Sequence, residues 1–229
     1  RDDNEAVWAR LAALAGGAGA RVAVIATASG EPARAAARVD ERLRRHGVRG
    51  LAIEAAPLQD GAAAAQAAAH APRWVEAVAG SQAVFFTGGA QARLLDTLAP
   101  GGAPSPLLQA VHALHARGGL VAGTSSGAAV LSALCFREAP DLIGALRGTL
   151  REGIEIDRGF GFLPPQMVLD QHFVQRGRIA RLLPLMASRR VPLGLGVEED
   201  SAALLHAGRR EVLGRHGVLV ADMAEAQVD

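Results

Sequence analysis

Along this chain, short unbroken apolar runs alternate with longer stretches in which apolar positions recur every three or four residues. The first kind has the length and β-branched content of buried strands, the second the periodicity of helices packed by one face. Residues 4–15 (NEAVWARLAALA) predict a helix, stopped by GGAG. RVAVIAT (21–27) predicts a strand, and 31–46 an amphipathic helix with Pro32 in its first turn and Gly47 at its end. The alternation continues with a strand at 50–56, a helix over 62–79 and a strand at 83–89 (AVFFTGG). Helices over 91–98 and 106–116 and a strand at 120–125 (LVAGTS) follow. A helix over 126–136 comes next, carrying Cys135 as a small buried apolar residue. A polar connection leads to MVLDQHF (167–173) as strand and 175–189 as helix, and LGLGVEE (193–199) and SAALLHAG (201–208) complete the pattern.

Strands alternating with helices imply a mainly parallel sheet covered on both faces, hence a three-layer α/β sandwich in one domain over 1–229. The alanine-rich stretch DGAAAAQAAAHAPRW reads as helix, since alanine is the best helix former. No internal repeat and no long linker marks a boundary. Because the chain opens directly on a helix, one expectation is that a strand of the sheet lies outside the sequence.

Composition narrows the function. Half of the 229 residues are apolar, enough for a sizeable core, yet no apolar run approaches the ~18 residues of a membrane helix. The net charge is +1, so nothing favours nucleic acid or an acidic membrane as partner. No leader-like segment precedes the first helix, and a cytoplasmic location is expected. All 24 basic residues are Arg, a bias that leaves only arginine spacing informative. A single cysteine rules out an internal disulfide and a cysteine-based zinc site.

One junction carries candidate chemistry. GGLVAGTSSGAAVLSAL (118–134) runs from an apolar strand through a Gly/Thr/Ser cluster into helical spacing. Gly123-Thr124-Ser125-Ser126-Gly127 fits G-x-S-x-G, in which a strained turn pushes a serine hydroxyl outward and flanking glycines let the backbone pass closely. The same residues would also suit a plain strand-to-helix turn. In parallel sheets ligands bind beyond the C-terminal ends of the strands. Ser125, Gly88-Gly89 and Asp170-Gln171-His172 all fall at predicted strand ends, which favours the elbow. A nucleophilic serine needs a base and an acid to orient it. Of the seven histidines, His46 ends a charged helix, and His70, His112 and His115 lie within helices. The 112/115 pair has i,i+3 spacing but no carboxylate partner, so no metal site is expected. His206 and His216 belong to the C-terminal tail. His172 alone follows a buried-strand pattern beside polar neighbours.

DQHFVQRGRIARLL (170–183), GTSSGAAV (123–130), FFTGGAQARLL (85–95) and LGVEEDSAAL (195–204) resemble the signature segments of cyanophycinase-like serine peptidases, peptidase family S51, which also holds aspartyl dipeptidase. The resemblance keeps the same order over roughly residues 10–205. It implies a class I glutamine amidotransferase-like fold, no cofactor, and a homodimer. It also implies hydrolysis of cyanophycin, multi-L-arginyl-poly-L-aspartate, to β-Asp-Arg dipeptides through an acyl-enzyme. Carried over by position, it makes Ser125 the nucleophile, His172 the general base and Glu199 the orienting carboxylate. Backbone N–H groups of Ser126 and of Gly88-Gly89 would form the oxyanion hole. Gln91, Asp170, Gln171, Arg176, Arg178 and Arg181 would bind substrate. Arg178 and Arg181 are i,i+3 neighbours, and guanidinium groups clamp carboxylates such as the free α-carboxylate of a β-aspartyl unit.

The order Ser…His…Glu differs from ordinary α/β-hydrolases, which place the acid before the histidine. Two positions depart from the family pattern: Ser126 stands where alanine is usual, and Ala90 where aspartate precedes Gln91. The rival readings are an aspartyl or isoaspartyl dipeptidase on the same scaffold, and a non-catalytic relative whose site has decayed. An amidotransferase would carry cysteine at the elbow, and Cys135 comes ten residues too late.

Overall fold

In the computed structural model, which describes residues 4–53, 61–138 and 142–226, the chain gathers into two compact units. One runs from Trp8 to Val130; the other takes the described residues before Trp8 and after Val130.

The Trp8–Val130 unit follows the predicted alternation closely. Its elements are α1 (Glu5–Leu14, from Trp8 onward), β1 (Arg21–Ile25), α2 (Pro32–Arg44), β2 (Arg49–Ile53), α3 (Gly61–Ala69), α4 (Pro72–Ala79) and β3 (Ala83–Phe86). They continue with α5 (Gln91–Leu98), α6 (Pro106–Ala116), β4 (Leu120–Gly123) and the short α7 (Ser126–Ala129). The four strands form a wholly parallel sheet in the order β2-β1-β3-β4. Residues 22–25 of β1 and all of β3 are buried, so both faces of these strands are covered. The core joins Trp8, Leu11, Val22, Val24, Val39, Leu43 and Phe85, with the Trp8 and Phe85 rings 5.3 Å apart. The strand order reverses between β1 and β3, the kind of switch point at which parallel sheets bind ligands.

The second unit departs from the prediction. It holds β5 (Leu134–Phe136), α8 (Leu142–Leu146), β6 (Ile156–Arg158), β7 (Met167–Gln171), α9 (Ile179–Arg189), β8 (Leu193–Val197), β9 (Ser201–His206), β10 (Arg209–Gly214) and β11 (Val218–Asp222). β7 and β8 are parallel, but β11 adds antiparallel to β8, and β5–β6 and β9–β10 are antiparallel pairs. Its core is built from Phe136, Ile156, Val168, Phe173, Leu182, Leu185, Met186 and Val191. Gly194 and Gly196 of β8 permit this packing. A methyl group on Gly196 would lie 2.3 Å from the Phe173 ring, and one on Gly194 2.5 Å from Met186 Sδ.

Three element expectations are corrected. The helix expected over 126–136 stops at Ala129, and 134–136 form β5, with Cys135 opposite Asp157. Backbone N–H groups of Gly161, Phe162 and Leu163 bond to the carbonyls of Ser132 and Leu131, and Leu169 N donates to Ser132 Oγ at 2.8 Å. Those pairings hold the segment out of helix. The helix expected over 62–79 is two helices: Ala71 is extended (ψ 120°) because the ring of Pro72 disfavours helix in the residue before it. The helix expected from 175 begins at Ile179, after a turn in which Gly177 has φ +58°. Of the strand expected at 50–56, residues 54–56 lie outside the described residues.

Candidate active site

The Trp8–Val130 unit brings the serine cluster and the glycine pair together. Ser125 connects β4 to α7 with φ 52° and ψ −122°, a conformation that non-glycine residues occupy only under strain. The glycines around it are sterically required. A methyl group on Gly123 would lie 2.2 Å from Gly127 O, and one on Gly127 2.3 Å from Phe86 O. The loop after β3 lies directly against this turn, since a methyl group on Gly88 would be 2.9 Å from Ser125 Cβ. Thr87 N, Ala90 N, Thr124 N and Gly127 N all donate to backbone carbonyls. Among the described residues, the N–H groups of Gly88, Gly89 and Ser126 take no backbone carbonyl. Unbonded amides beside a serine hydroxyl are what stabilisation of an oxyanion needs. Gln91 is placed next to them, with Oε1 3.0 Å from Ser126 Oγ.

The second unit holds the histidine. His172 follows β7 with φ 50°, and its Nδ1 lies 2.8 Å from Glu199 Oε1. A proton on Nδ1, donated to Glu199, leaves Nε2 as the basic nitrogen of the neutral ring. The hydrogen bond from His172, aided by the charges of His172 and Arg176, holds the Glu199 carboxyl below its ordinary value. The turn carrying Glu199 is itself pinned. Asp200 has φ 55°, and its carbonyl accepts from Asn4 Nδ2 at 2.8 Å and from Arg215 N at 2.9 Å. Val174 N lies 3.3 Å from both carboxylate oxygens of Glu198, which ties the histidine turn to the carboxylate turn. Phe173, seated on Gly196, anchors the backbone next to His172. The sequence pattern did not single out Asn4, Phe173, Gly196 or Glu198, and nothing local to those residues marks them.

The arginines behave differently from the expectation. Arg181 is buried (5 % exposed) and grips Asp170 with two donors, Nε to Oδ2 at 2.6 Å and Nη2 to Oδ1 at 2.6 Å. Its guanidinium also lies over the Phe136 ring at 4.2 Å. Arg178 Nη1 donates to Asp170 Oδ1 at 3.0 Å and to the Gln171 carbonyl at 2.8 Å. Arg181 Nε and Nη2 and Arg178 Nη1, donors expected to clamp a substrate carboxylate, are thus engaged within the chain by Gln171 and by Asp170, itself completely buried. Asp170, Arg178 and Arg181 form an internal brace beneath the turn of His172, and Gln171 is buried beside it. Of the three arginines only Arg176 is exposed.

Cys135 is buried in β5, and burial pushes its thiol up to about 12, far from a reactive thiolate. His112 is lowered by burial and by the nearby His115, and among the described residues no group of three ligating side chains could hold a metal. No described helix is long and apolar enough to cross a membrane.

The sequence profile of peptidase family S51 matches residues 1–212. The chain belongs to that family. It is 36% identical to the cyanophycinase of Synechococcus elongatus over 141 residues, 61% of this chain and 41% of that protein. Against the cyanophycinase of Trichormus variabilis it is 33% identical over 145 residues, 62% of this chain and 45% of that one. The matched stretch thus spans less than half the length of these relatives. In structure it resembles a peptidase from an acI-B1 Actinobacterium, with TM-score 0.71 and 21% identity over 97% of this chain and 85% of the other. It also resembles a putative peptidase E from Listeria monocytogenes, with TM-score 0.59 and 14% identity over 93% and 95%. At such identities the likeness is one of fold alone, an α/β arrangement with a parallel sheet, consistent with the class I glutamine amidotransferase-like fold expected above.

Proposed function

We propose that this S51 member is a serine-type exopeptidase that cleaves β-aspartyl bonds, in cyanophycin or in shorter isoaspartyl peptides. The observation that carries the reading is the 2.8 Å bond from His172 Nδ1 to Glu199 Oε1, which prepares an imidazole for proton transfer. Ser125 Oγ attacks the carbonyl carbon while His172 Nε2 takes its proton. The oxyanion is held by backbone N–H groups of Gly88-Gly89 and Ser126. The amine leaves with the proton from His172, and water, deprotonated by the same nitrogen, releases the acyl group from Ser125. No metal or organic cofactor enters this scheme. Arg176, exposed and close enough for its charge to act on Glu199, meets the free carboxylate of the aspartyl unit.

The dipeptide reading has an observation of its own. Asp170 is already paired with Arg178 and Arg181, and position 90 carries alanine where the family pattern has aspartate, so neither position offers a carboxylate to a substrate arginine. By family precedent, we take the enzyme to act as a homodimer.

The test is incubation with insoluble cyanophycin, β-Asp-Arg and β-Asp-Leu, alongside labelling by a serine-directed phosphonate. Release of free amine from at least one substrate, with label on Ser125 and both lost in Ser125→Ala, is the expected result. Label on Ser126, or turnover surviving in Ser125→Ala, defeats the reading. Cleavage of both dipeptides but not the polymer selects the dipeptidase.

A further inference from the structure

Ser126 has a side chain where the family pattern has only a methyl group, and that side chain is committed. Its hydroxyl is buried and donates to the Gly89 carbonyl at 2.5 Å, with Gln91 Oε1 at 3.0 Å as a second, longer contact. One hydroxyl proton serves one acceptor at a time, and the shorter contact is to Gly89. The acceptor is thus the backbone of the loop whose amides the proposed reaction uses.

That loop has reason to need a fastener. Gly88 and Gly89 are adjacent glycines, the residues that restrict backbone rotation least. Gly89 has φ +150°, and a methyl group there would fall 1.9 Å from Ala28 O, so neither position can be stiffened by substitution. The preceding hydroxyl, Thr87 Oγ1, is buried without a hydrogen-bond partner among the described residues and does none of this holding. Beyond Gly89, Ala90 N donates to Ala28 O at 2.9 Å, which secures the far end of the loop to the turn after β1. Ser126 secures the same loop to the elbow.

We infer that the Ser126 hydroxyl is a positioning residue: it latches the Gly88-Gly89 loop to the Ser125 turn and holds the oxyanion-binding amides in register with the nucleophile. This rests on the serine-peptidase reading above. Donors for a developing oxyanion stabilise it only if they are in place before charge appears, because reorienting them during the reaction cancels the gain. A loop freed to rotate would still bind substrate but would stabilise the transition state less, which lowers kcat and leaves KM nearly unchanged.

The experiment compares wild type with Ser126→Ala, which restores the family residue and keeps the backbone N–H. Three quantities are read: amide exchange across residues 87–91, steady-state kinetics on the isoaspartyl substrate cleaved, and the rate of phosphonate labelling at Ser125. The inference expects faster exchange in the loop, with kcat and labelling both reduced about tenfold, the worth of one well-placed hydrogen bond. KM should barely move, and the melting temperature should fall by about 2–4 °C, the effect of losing one buried hydrogen bond. Unchanged exchange overturns the latch. Faster exchange with unchanged kcat and labelling overturns the positioning role and leaves the serine-peptidase reading standing. Wild type unlabelled at Ser125 defeats the serine-peptidase reading first, and the positioning role falls with it.

Discussion

At Glu199 a single hydrogen bond does more than burial could. The carboxyl is lowered first by the bond from His172, with the charges of His172 and Arg176 adding to it while burial opposes. A carboxyl whose value is lowered in the folded chain contributes above its ordinary range and loses that contribution as pH falls through the lowered value. The His172–Glu199 bond should therefore persist through pH values at which an ordinary glutamate has already taken up a proton. Carbon-13 NMR of the Glu199 carboxyl checks this. Its midpoint should lie below that of exposed glutamates and move back toward the ordinary value in His172→Ala; a midpoint indifferent to that substitution would assign the shift to another cause. The residues around the pair show what was legible in the sequence. His172 stood out because it follows a buried run and sits among polar neighbours. Glu198, Glu199 and Asp200 are consecutive acids, and only the family pattern chose among them. The fold separates them by backbone: Glu198 meets Val174 N, Glu199 meets the imidazole, and Asp200 takes a left-handed turn with φ 55°.

Among the elements, β7 and α9 show how arginines placed for binding by spacing alone can be claimed by packing. Asp170 at the end of β7 is fully buried, and a buried carboxylate must be paired. Arg181, on the inward face of α9, supplies that pairing through two donors. Lysine in its place keeps the charge but not the paired donors. Arg181→Lys should therefore cost stability, about 1–3 kcal/mol, with KM little altered in the variant that folds. Urea unfolding beside steady-state kinetics separates the outcomes, and unchanged stability with a raised KM would return Arg181 to the substrate. Helix α5 makes a second case. Ala90 is its N-cap, in extended conformation and without a side-chain hydrogen bond to the helix amides. The aspartate that the family places there is a favoured N-cap residue. Ala90→Asp should accordingly raise stability by about 1 kcal/mol in the same unfolding assay. A selectivity change for β-Asp-Arg with no gain in stability would instead make that carboxylate a substrate contact.

Over the whole molecule, the two units were unequally legible. Trp8–Val130 is made of elements whose signals are local: long amphipathic periods, β-branched runs, Pro32 and Pro106 opening helices. The parallel order β2-β1-β3-β4 then places the loops after β1, β3 and β4 at one end of the sheet. After Leu131 the strands are as short as those before it, but most form antiparallel pairs instead of alternating with long amphipathic helices, and such runs alone do not distinguish strand from buried helix. Their identity comes from partners far along the chain, as Cys135 does from Asp157 and β8 from both β7 and β11. The sequence by itself determined the α/β class, the alternating elements of the first unit, the family, and the turn at Ser125. Those rest on periodicity, on glycine and on short-range sterics, which neighbours in sequence set. Only the tertiary structure brought Glu199, the acid that the family pattern named, against His172, and decided that Arg178 and Arg181 turn inward to Asp170 and that Ser126 binds the Gly89 carbonyl. Each of those pairs residues 8 to 37 positions apart, and what fixes it is the desolvation of a polar group that must find its partner wherever the packed backbone offers one.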